Sequence, residues 1–426
     1  MASPSHPSAA PNPWRWVPTL YFCEGLPYVV VTTLSVILYK NLGLSNTDIA
    51  FYTSWLYLPW VIKPLWSPLV DLIRTKRVWV VCLQLILGAV LGLLALLVPG
   101  PFVLRATLAL FWLLAFSSAT HDIAADGFYL LALPPHRQAG FVGVRSTFYQ
   151  LSMIAGQGGL VYLTGSLTER LGAPRPAWAC VFALVGVCLA AAAVYHWTVL
   201  PRPAADQPGR RSRRFVVEYL SVFATFFQKE GIVRILAFLL LYRLAQAQLL
   251  KLVIPFLLDQ RAAGGLGLTM QQEGVLYGTL GVAALILGGL AGGFAVSRSG
   301  LKRMLWPMLV VMYLPAAVFV VLALRQPHNL AVIGAALMVE QFGYGFGFTA
   351  YMVYMMLVAA GEHRTAHYAL CTGFMALGMM LPGLPAGWIQ DHLGYLRFFI
   401  WVCVATIPSF AATALIKVDP GYGRRP

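Results

Sequence analysis

Ionisable and amide side chains recur inside otherwise apolar stretches of this 426-residue sequence. Glu24 lies in Y-F-C-E-G-L-P-Y, and the string H-D-I-A-A-D supplies His121, Asp122 and Asp126. The remaining members of the set are Arg243, Gln246, Gln248, Lys251, Glu340 and Gln341. A charge at the centre of a helix in hydrocarbon costs at least about 2.5–3.5 kcal/mol on insertion scales. We therefore expect these side chains to face a protein interior or a water-filled cavity.

The two aspartates of the H-D-I-A-A-D string are spaced for proton chemistry. Asp122 and Asp126 are four residues apart, which places them on one face of a helix, with His121 one position round. Two carboxylates that close together in a poorly hydrated cavity repel each other, so a proton on one of them is favoured. We predict a proton relay; the alternatives are a structural ion pair for each carboxylate and a buried hydrogen bond for His121.

Two cations in the second half of the sequence are candidate partners for these acids. We predict that Arg243 and Lys251 pair with Glu24, Asp122 or Asp126 when no substrate is bound, and exchange that partner for an anionic substrate. Gln246, Glu340 and Gln341 are the remaining residues of the site that we predict to bind substrate and to couple its binding to protons.

Motifs for other chemistry are missing from the sequence. It contains no nucleophile elbow, P-loop or metal-ligand string and no sizeable soluble domain, so we expect no catalytic residue, metal or cofactor. Because a nucleotide-binding motif is missing, any transport that the protein carries out is expected to take its energy from an ion gradient. The six cysteines lack metal-ligand spacing and are expected to be free thiols: Cys23, Cys82, Cys180, Cys188, Cys371 and Cys403.

The composition indicates which kind of secondary structure must position the polar residues. With 59% hydrophobic and 11% charged residues, the chain is too apolar for a solvated globule. Apolar windows of about 20 residues predict twelve transmembrane helices in an all-α integral membrane fold. They are 16–40, 46–70, 78–98, 103–132, 138–166, 176–199, 233–258, 269–296, 304–324, 329–358, 364–389 and 396–417. Pro382 and Pro385 are expected to interrupt the eleventh.

The net charge of +15 is distributed by loop, which favours a membrane topology over nucleic-acid binding. Basic residues cluster after the even-numbered spans, whereas the opposite loops carry mostly single charges. By the positive-inside rule both termini are cytoplasmic. The clusters include Arg74, Lys76, Arg77, Arg137, Arg202, Arg210, Arg211, Arg213, Arg214, Arg298, Lys302, Arg303, Arg364, Lys417, Arg424 and Arg425.

A polar central segment divides the chain into six spans plus six. We predict a disordered cytoplasmic tail at 1–15, which has no signal-peptide h-region, and a six-helix bundle at 16–199. A cytoplasmic linker follows at 200–232, then a second six-helix bundle at 233–417 and a tail at 418–426. Part of the linker has apolar residues at helical spacing and is either an amphipathic membrane-surface helix or an ordinary linker helix.

Related loops occupy equivalent places in the two halves. Ser67 to Arg77 and Gly293 to Arg303 each place a small residue four positions before a helix-end polar residue and end in Lys-Arg. This pattern resembles the G-x-x-x-D-R-x-G-R-K-R loop of the major facilitator superfamily, whose fold has two six-helix halves. We predict a cytoplasmic gate of Asp71, Arg74, Arg77 and Arg298; the alternative is that these charges only set topology.

The resemblance is most specific in spans 2 and 4, where it indicates one family within the superfamily. K-P-L-W-S-P-L-V-D, S-S-A-T-H-D-I-A-A-D, L-P-P-H-R-Q-A-G and A-G-W are similar to strings of the AmpG-type muropeptide permeases, in the peptide/acetyl-coenzyme A transporter branch of that superfamily. The resemblance implies proton-driven import of muropeptides across the bacterial inner membrane, with spans 1, 4, 7 and 10 lining a central cavity. Glu24, Gln246 and Lys251 depart from the family pattern, so the charge pattern of the cavity is altered.

Three interpretations of function follow. The first is proton-coupled uptake of muropeptide-like or related anionic amino-sugar or peptide solutes by alternating access. The second is transport of another solute, such as an acyl-coenzyme A, siderophore, peptide or drug. The third, disfavoured by the missing motifs, is a membrane enzyme or receptor. The expected partners are a small-molecule solute, protons and membrane lipid, without nucleic acid, and the expected state is a monomer.

Overall fold

The computed structural model describes residues 12–67, 70, 73–133, 135–204, 206–207, 215–360, 364–419 and 422–423. Helices dominate these ranges, and no β-strand occurs within them. The helices are α1 (Pro13–Asn41), α2 (Asn46–Trp55), α3 (Leu58–Ile62), α4 (Lys76–Leu97), α5 (Val103–Ala132), α6 (Pro135–Ile154), α7 (Val161–Leu171), α8 (Pro174–Val199), α9 (Phe215–Phe227), α10 (Ile232–Leu258), α11 (Met270–Ser299), α12 (Leu301–Arg325), α13 (Leu330–Val358), α14 (Arg364–Gly383) and α15 (Ala386–Leu415).

Nine helices in the described part of the chain are long and apolar enough to cross a membrane: α1, α4, α5, α8, α10, α11, α12, α13 and α15. This confirms the all-α membrane fold. The other three predicted spans also fall on helices. Span 46–70 falls on α2 and α3, span 138–166 on α6 and α7, and span 364–389 on α14 and the start of α15. Those helices are shorter or less apolar, and the count of twelve stays a prediction.

Several spans are broken where polar residues lie. Helix α10 is interrupted between Leu241 and Leu244, and Arg243 has φ −108° and ψ 14° at the break. A π-helical segment, Val30–Leu34, follows Pro27 in α1, and another, Gly274–Gly281, lies in α11. Such wide turns leave backbone groups outside the regular helical hydrogen-bond pattern and are frequent at functional sites.

The predicted interruption near Pro382 and Pro385 is confirmed, because α14 ends at Gly383 and α15 begins at Ala386. A second break lies inside α15 at Gly394, whose φ of 72° is left-handed and suits a residue without a Cβ. This break falls between the predicted spans 364–389 and 396–417.

Glycines bring α11 and α13 into close contact. A Cβ added to Gly288 would lie 2.1 Å from the carbonyl oxygen of Phe342, and one added to Gly345 would lie 2.0 Å from the carbonyl oxygen of Leu285. Small residues allow backbones in a membrane to approach this closely. The packing fixes the face of α13 that carries Glu340 and Tyr344.

The segment between the two predicted halves contains a helix, α9. Its Phe226 is buried and stacks on Phe374 of α14, with ring centroids 6.0 Å apart. At the start of the linker, the Asp206 carboxylate accepts hydrogen bonds from the backbone N–H groups of Lys76 and Arg77 at 2.7 and 3.1 Å. These contacts tie the linker to both predicted halves.

Candidate functional site

Asp126, on α5, is held by two side chains from neighbouring helices. The Arg145 guanidinium of α6 lies 2.8 Å from Asp126 Oδ1, and the Tyr21 hydroxyl of α1 donates a hydrogen bond to the same oxygen at 3.1 Å. Arg145 also stacks over the Tyr21 ring at 4.5 Å from its centroid. The Asp126 side chain is 43% exposed, so water and protons can reach the ion pair.

Asp122 lies deeper, with 15% of its side chain exposed. The indole Nε1 of Trp60 donates a hydrogen bond to Asp122 Oδ2 at 2.9 Å, and Lys63 Nζ lies 3.9 Å from the same oxygen. Trp60 in turn packs edge-on against Tyr28 of α1, with centroids 5.2 Å apart. Both aspartates therefore have a cation and an aromatic donor as partners.

The cations beside this acidic pair differ from the predicted ones. Lys63 and Arg145 occupy that place, whereas Arg243 and Lys251 form no ion pair with any described residue. Sequence reasoning misses Lys63 and Arg145 because they lie in the second and fifth predicted spans, which are not expected to line the cavity. The sequence feature that could have identified them is that each is a charged residue inside a predicted span.

Glu24 lies on α1 between the two aspartate sites. Tyr21 and Tyr28, one helical turn to either side of it, contact Asp126 and Trp60. Glu24 is 6% exposed, and its Oε2 has no hydrogen-bond partner among the described residues. We call Glu24, Asp122 and Asp126 the acidic group; the structure brings these three predicted residues together.

His121 points away from the acidic group. Its Nε2 lies 3.1 Å from Gln84 Nε2, and the Gln84 Oε1 lies 2.8 Å from His196 Nδ1. The His196 Nε2 is in turn 2.9 Å from Thr19 Oγ1. This chain, buried except at Thr19, joins α5, α4, α8 and α1, which corresponds to the hydrogen-bonded alternative for His121.

Arg243, at the break in α10, is buried among aromatic rings. It donates a hydrogen bond to the Tyr344 hydroxyl of α13, and its guanidinium carbon lies 4.7 Å from the Phe348 ring centroid. Its Nε has no partner among the described residues. A buried guanidinium without a carboxylate is a ready binding group for an anion.

Glu340, Gln341 and Gln246 form one polar cluster in the second half. Gln246 Nε2 donates to Glu340 Oε1 at 3.1 Å, and Gln341 Nε2 donates to Glu340 Oε2 at 3.0 Å and to the Tyr277 hydroxyl at 3.1 Å. Glu340 is 1% exposed. The cluster therefore joins α10, α11 and α13 with neutral donors around one carboxylate.

Lys251 connects the two predicted halves. Its Nζ donates a hydrogen bond to Thr53 Oγ1 of α2 at 3.0 Å and lies 4.8 Å from the Tyr57 ring centroid. Lys251 is 5% exposed. The ammonium group is thus buried between the halves with a hydroxyl and a ring, and no described carboxylate lies within 4.0 Å of it.

The described residues of the predicted cytoplasmic gate form no hydrogen bond or ion pair with one another. Asp71 lies outside the described residues, and Arg74 and Arg298 are exposed. Arg77 is buried and donates to the carbonyl oxygens of Trp197 and Leu200 at the end of α8, within its own half. Its contacts are those of a helix-capping cation.

A cross-half network closes the opposite end, and sequence reasoning misses it. Lys40 Nζ lies 2.7 Å from Asp259 Oδ1, and Lys40 also donates to Asn46 Oδ1 at 2.9 Å. Asn46 Nδ2 donates to Gln390 Oε1 at 2.6 Å and to the Tyr395 hydroxyl at 2.9 Å. These residues lie at or next to the ends of predicted spans. The sequence there does not indicate which residue a single charge contacts.

Comparisons with known proteins agree with this architecture. The chain matches the model of the Major Facilitator Superfamily over residues 19–381. It is 27% identical over 412 residues to the anhydromuropeptide permease of Escherichia coli, covering 95% of this chain and 80% of that protein. The relative is thus matched over most of its length.

Solved structures share the fold. A variant of the nucleoside transporter NupG superimposes with a TM-score of 0.72 at 16% identity, covering 95% of this chain and 100% of that one. A D-xylose–proton symporter gives a TM-score of 0.66 at 12% identity, covering 96% of this chain and 98% of that one. At these identities the likeness extends to the fold alone.

Proposed function

The chain belongs to the major facilitator superfamily and is a membrane transporter, and we propose that it takes up muropeptide-like or related anionic amino-sugar or peptide solutes together with protons by alternating access. In this proposal it is a monomer in the bacterial inner membrane, with both termini cytoplasmic and with the domain bounds given by the sequence. Its partners are the solute, protons and membrane lipid.

The observation that carries the proposal is that the acidic group and the unpaired cations lie on different helices. The acidic group lies in the first half beside Lys63 and Arg145. Arg243 is buried in the second half and Lys251 between the halves, and neither has a carboxylate partner among the described residues. A proton bound in the first half and an anion bound beside Arg243 and Lys251 would each lower the net charge of the residues around them. A loaded site with less net charge can change between the two access states at lower cost than an empty one.

The proton-binding part centres on Asp126. A proton on this carboxylate weakens its attraction for Arg145, which frees the guanidinium and the Tyr21 hydroxyl that share Oδ1. Because these three side chains come from α5, α6 and α1, losing the ion pair loosens contacts among three helices. Glu24, with one oxygen that has no hydrogen-bond partner among the described residues, is a second proton acceptor on α1.

The solute-binding part combines cations with aromatic rings. Arg243 lies beside Tyr344 and Phe348, and Lys251 lies beside Tyr57. A carboxylate is bound by the cations, and flat apolar faces of a sugar or peptide pack on the rings. The name of the Escherichia coli relative, an anhydromuropeptide permease, supports a solute of this kind.

Uptake into proteoliposomes tests the substrate class. Labelled anhydromuropeptide should enter vesicles that contain the protein, and excess unlabelled solute should compete. A form of the same solute with its carboxylates esterified should compete poorly, because Arg243 and Lys251 then lack an anion to bind. Without uptake by the folded protein, the substrate is a different one, and an acyl-coenzyme A, siderophore, peptide and drug panel would identify it. Equal competition by the ester would refute the anionic site.

A further inference from the structure

The Glu340 carboxylate is buried in the second half with only neutral hydrogen-bond partners. It is 1% exposed, and the amides of Gln246 and Gln341 donate to its two oxygens at 3.1 and 3.0 Å. Within the described residues no Lys, Arg or His nitrogen lies within 4.0 Å of it. Burying an unpaired charge costs several kcal/mol, whereas a protonated carboxyl carries no charge.

The Gln246 amide suits both states of this carboxyl. Its nitrogen donates to Glu340, while its own Oε1 is buried and has no hydrogen-bond partner among the described residues. Turned over, the amide presents that oxygen as an acceptor for a proton on Glu340. The pair therefore keeps a hydrogen bond whether the carboxyl is ionised or protonated.

One aromatic side chain, Tyr344, lies on the helix face of Glu340 and contacts the proposed anion-binding residue. Tyr344 is four residues further along α13, hence on the same face as Glu340, and its hydroxyl accepts a hydrogen bond from Arg243 of α10. The other titratable groups facing this cluster come from α11: Tyr277, which Gln341 contacts at 3.1 Å, and Glu273, which is 1% exposed one turn before Tyr277.

We propose that Glu340 is a proton-binding site separate from the acidic group, and that an anion bound at Arg243 favours its protonation. An anion bound at Arg243 places a negative charge on the same side of α13 as Glu340, which disfavours a second negative charge on that carboxyl, so anion and proton bind together. By linkage, protonated Glu340 strengthens anion binding by the same factor. Each solute then moves with one proton more than the acidic group alone supplies. This inference rests on the proposed function.

Infrared titration of the protein in lipid membranes tests the site without any solute. The signal of a protonated buried carboxyl should lose one group's amplitude in Glu340→Gln, while Glu340→Asp, which keeps a carboxyl, and Glu230→Gln, which alters an exposed one, should retain it. Glu340→Gln has nearly the size of the native side chain, and thermal unfolding checks that the variants are folded. Unchanged amplitude in folded Glu340→Gln would overturn the proposal.

Transport tests the coupling. With anhydromuropeptide as probe, the limiting accumulation ratio should fall in Glu340→Gln by about tenfold for each pH unit of gradient, the contribution of one coupled proton. Glu230→Gln should match the native protein. An unchanged ratio in Glu340→Gln would overturn the proposal, even where the acidic group proves to be coupled. Absence of transport in the native protein would refute the proposed substrate, and the infrared result would still decide Glu340.

Discussion

Lys40, near the end of α1, and Asp259, just beyond α10, form an ion pair across the two predicted halves, with Lys40 Nζ 2.7 Å from Asp259 Oδ1. Only 16% and 20% of the two side chains are exposed. The Tyr395 hydroxyl also donates to Asp259 Oδ2 at 2.5 Å. This end of the transporter is therefore held closed by charge-assisted hydrogen bonds between the halves.

The first prediction concerns this closure. Lys40→Met leaves the shielded Asp259 carboxylate unpaired, which costs about 1–3 kcal/mol in the closed state and should move the population toward opening at this end about 5- to 150-fold. Distances between spin labels on α2 and α15, in a background without the native cysteines, measure the shift. The exposed Lys417→Met serves as a control. An unchanged distance distribution would show that the pair does not hold the closure.

The second prediction concerns the acidic group. Asp122→Asn or Asp126→Asn should remove most of the dependence of uptake on the proton gradient, because an amide cannot release or accept the proton that controls Lys63 or Arg145. Initial uptake rates as a function of external pH measure this. Glu169→Gln, a change at an exposed carboxylate, should retain the native pH profile. A native profile in both aspartate variants would refute the relay.

The third prediction separates binding from structure at Lys251. Lys251→Ala should weaken binding of an anionic solute about 10- to 150-fold, the loss of one charge-assisted hydrogen bond of about 1.5–3 kcal/mol. Gln248→Ala is the matched control, because Gln248 on the same helix accepts a hydrogen bond from Trp401 instead. Binding can be measured by calorimetry in detergent. Native affinity in Lys251→Ala would leave it the structural role of holding Thr53.

The fourth prediction concerns the packing that positions Glu340. Gly288→Val should destabilise the protein by about 1–3 kcal/mol, because its Cβ would lie 2.1 Å from the rigid backbone oxygen of Phe342. Gly293→Val, on the same helix, meets no atom within 4 Å of its Cβ and should unfold at the native temperature. Thermal unfolding in one detergent compares the two. Equal destabilisation of the two variants would mean that the close contact at Gly288 does not determine how α11 packs on α13.

Much of the fold could be predicted from the sequence, because hydrocarbon requires long apolar helices and leaves a strong periodic signal. Glu24, Asp122 and Asp126 could be placed together for the same reason: few other acids occur within the predicted spans. Lys63 and Arg145 could not be assigned as their partners, since spacing within one helix does not reveal which faces of two distant helices meet. The Lys40–Asp259 pair could not be predicted for the same reason, because its members are 219 positions apart in the sequence.

The orientation of His121 depends on equally distant contacts. Sequence spacing places it beside Asp122 on α5, but its ring is directed to Gln84 of α4, which hydrogen-bonds His196 of α8. Nothing local distinguishes a histidine that faces a cavity from one that faces a neighbouring helix. Three-dimensional packing decides it.

The most direct test of proton-coupled solute uptake is accumulation of labelled anhydromuropeptide in proteoliposomes under an imposed inward proton gradient. We predict accumulation above the external concentration that collapses when an uncoupler is added and is lost in Asp126→Asn. Uptake that only equilibrates, with the same rate and extent with and without the gradient, would contradict proton coupling.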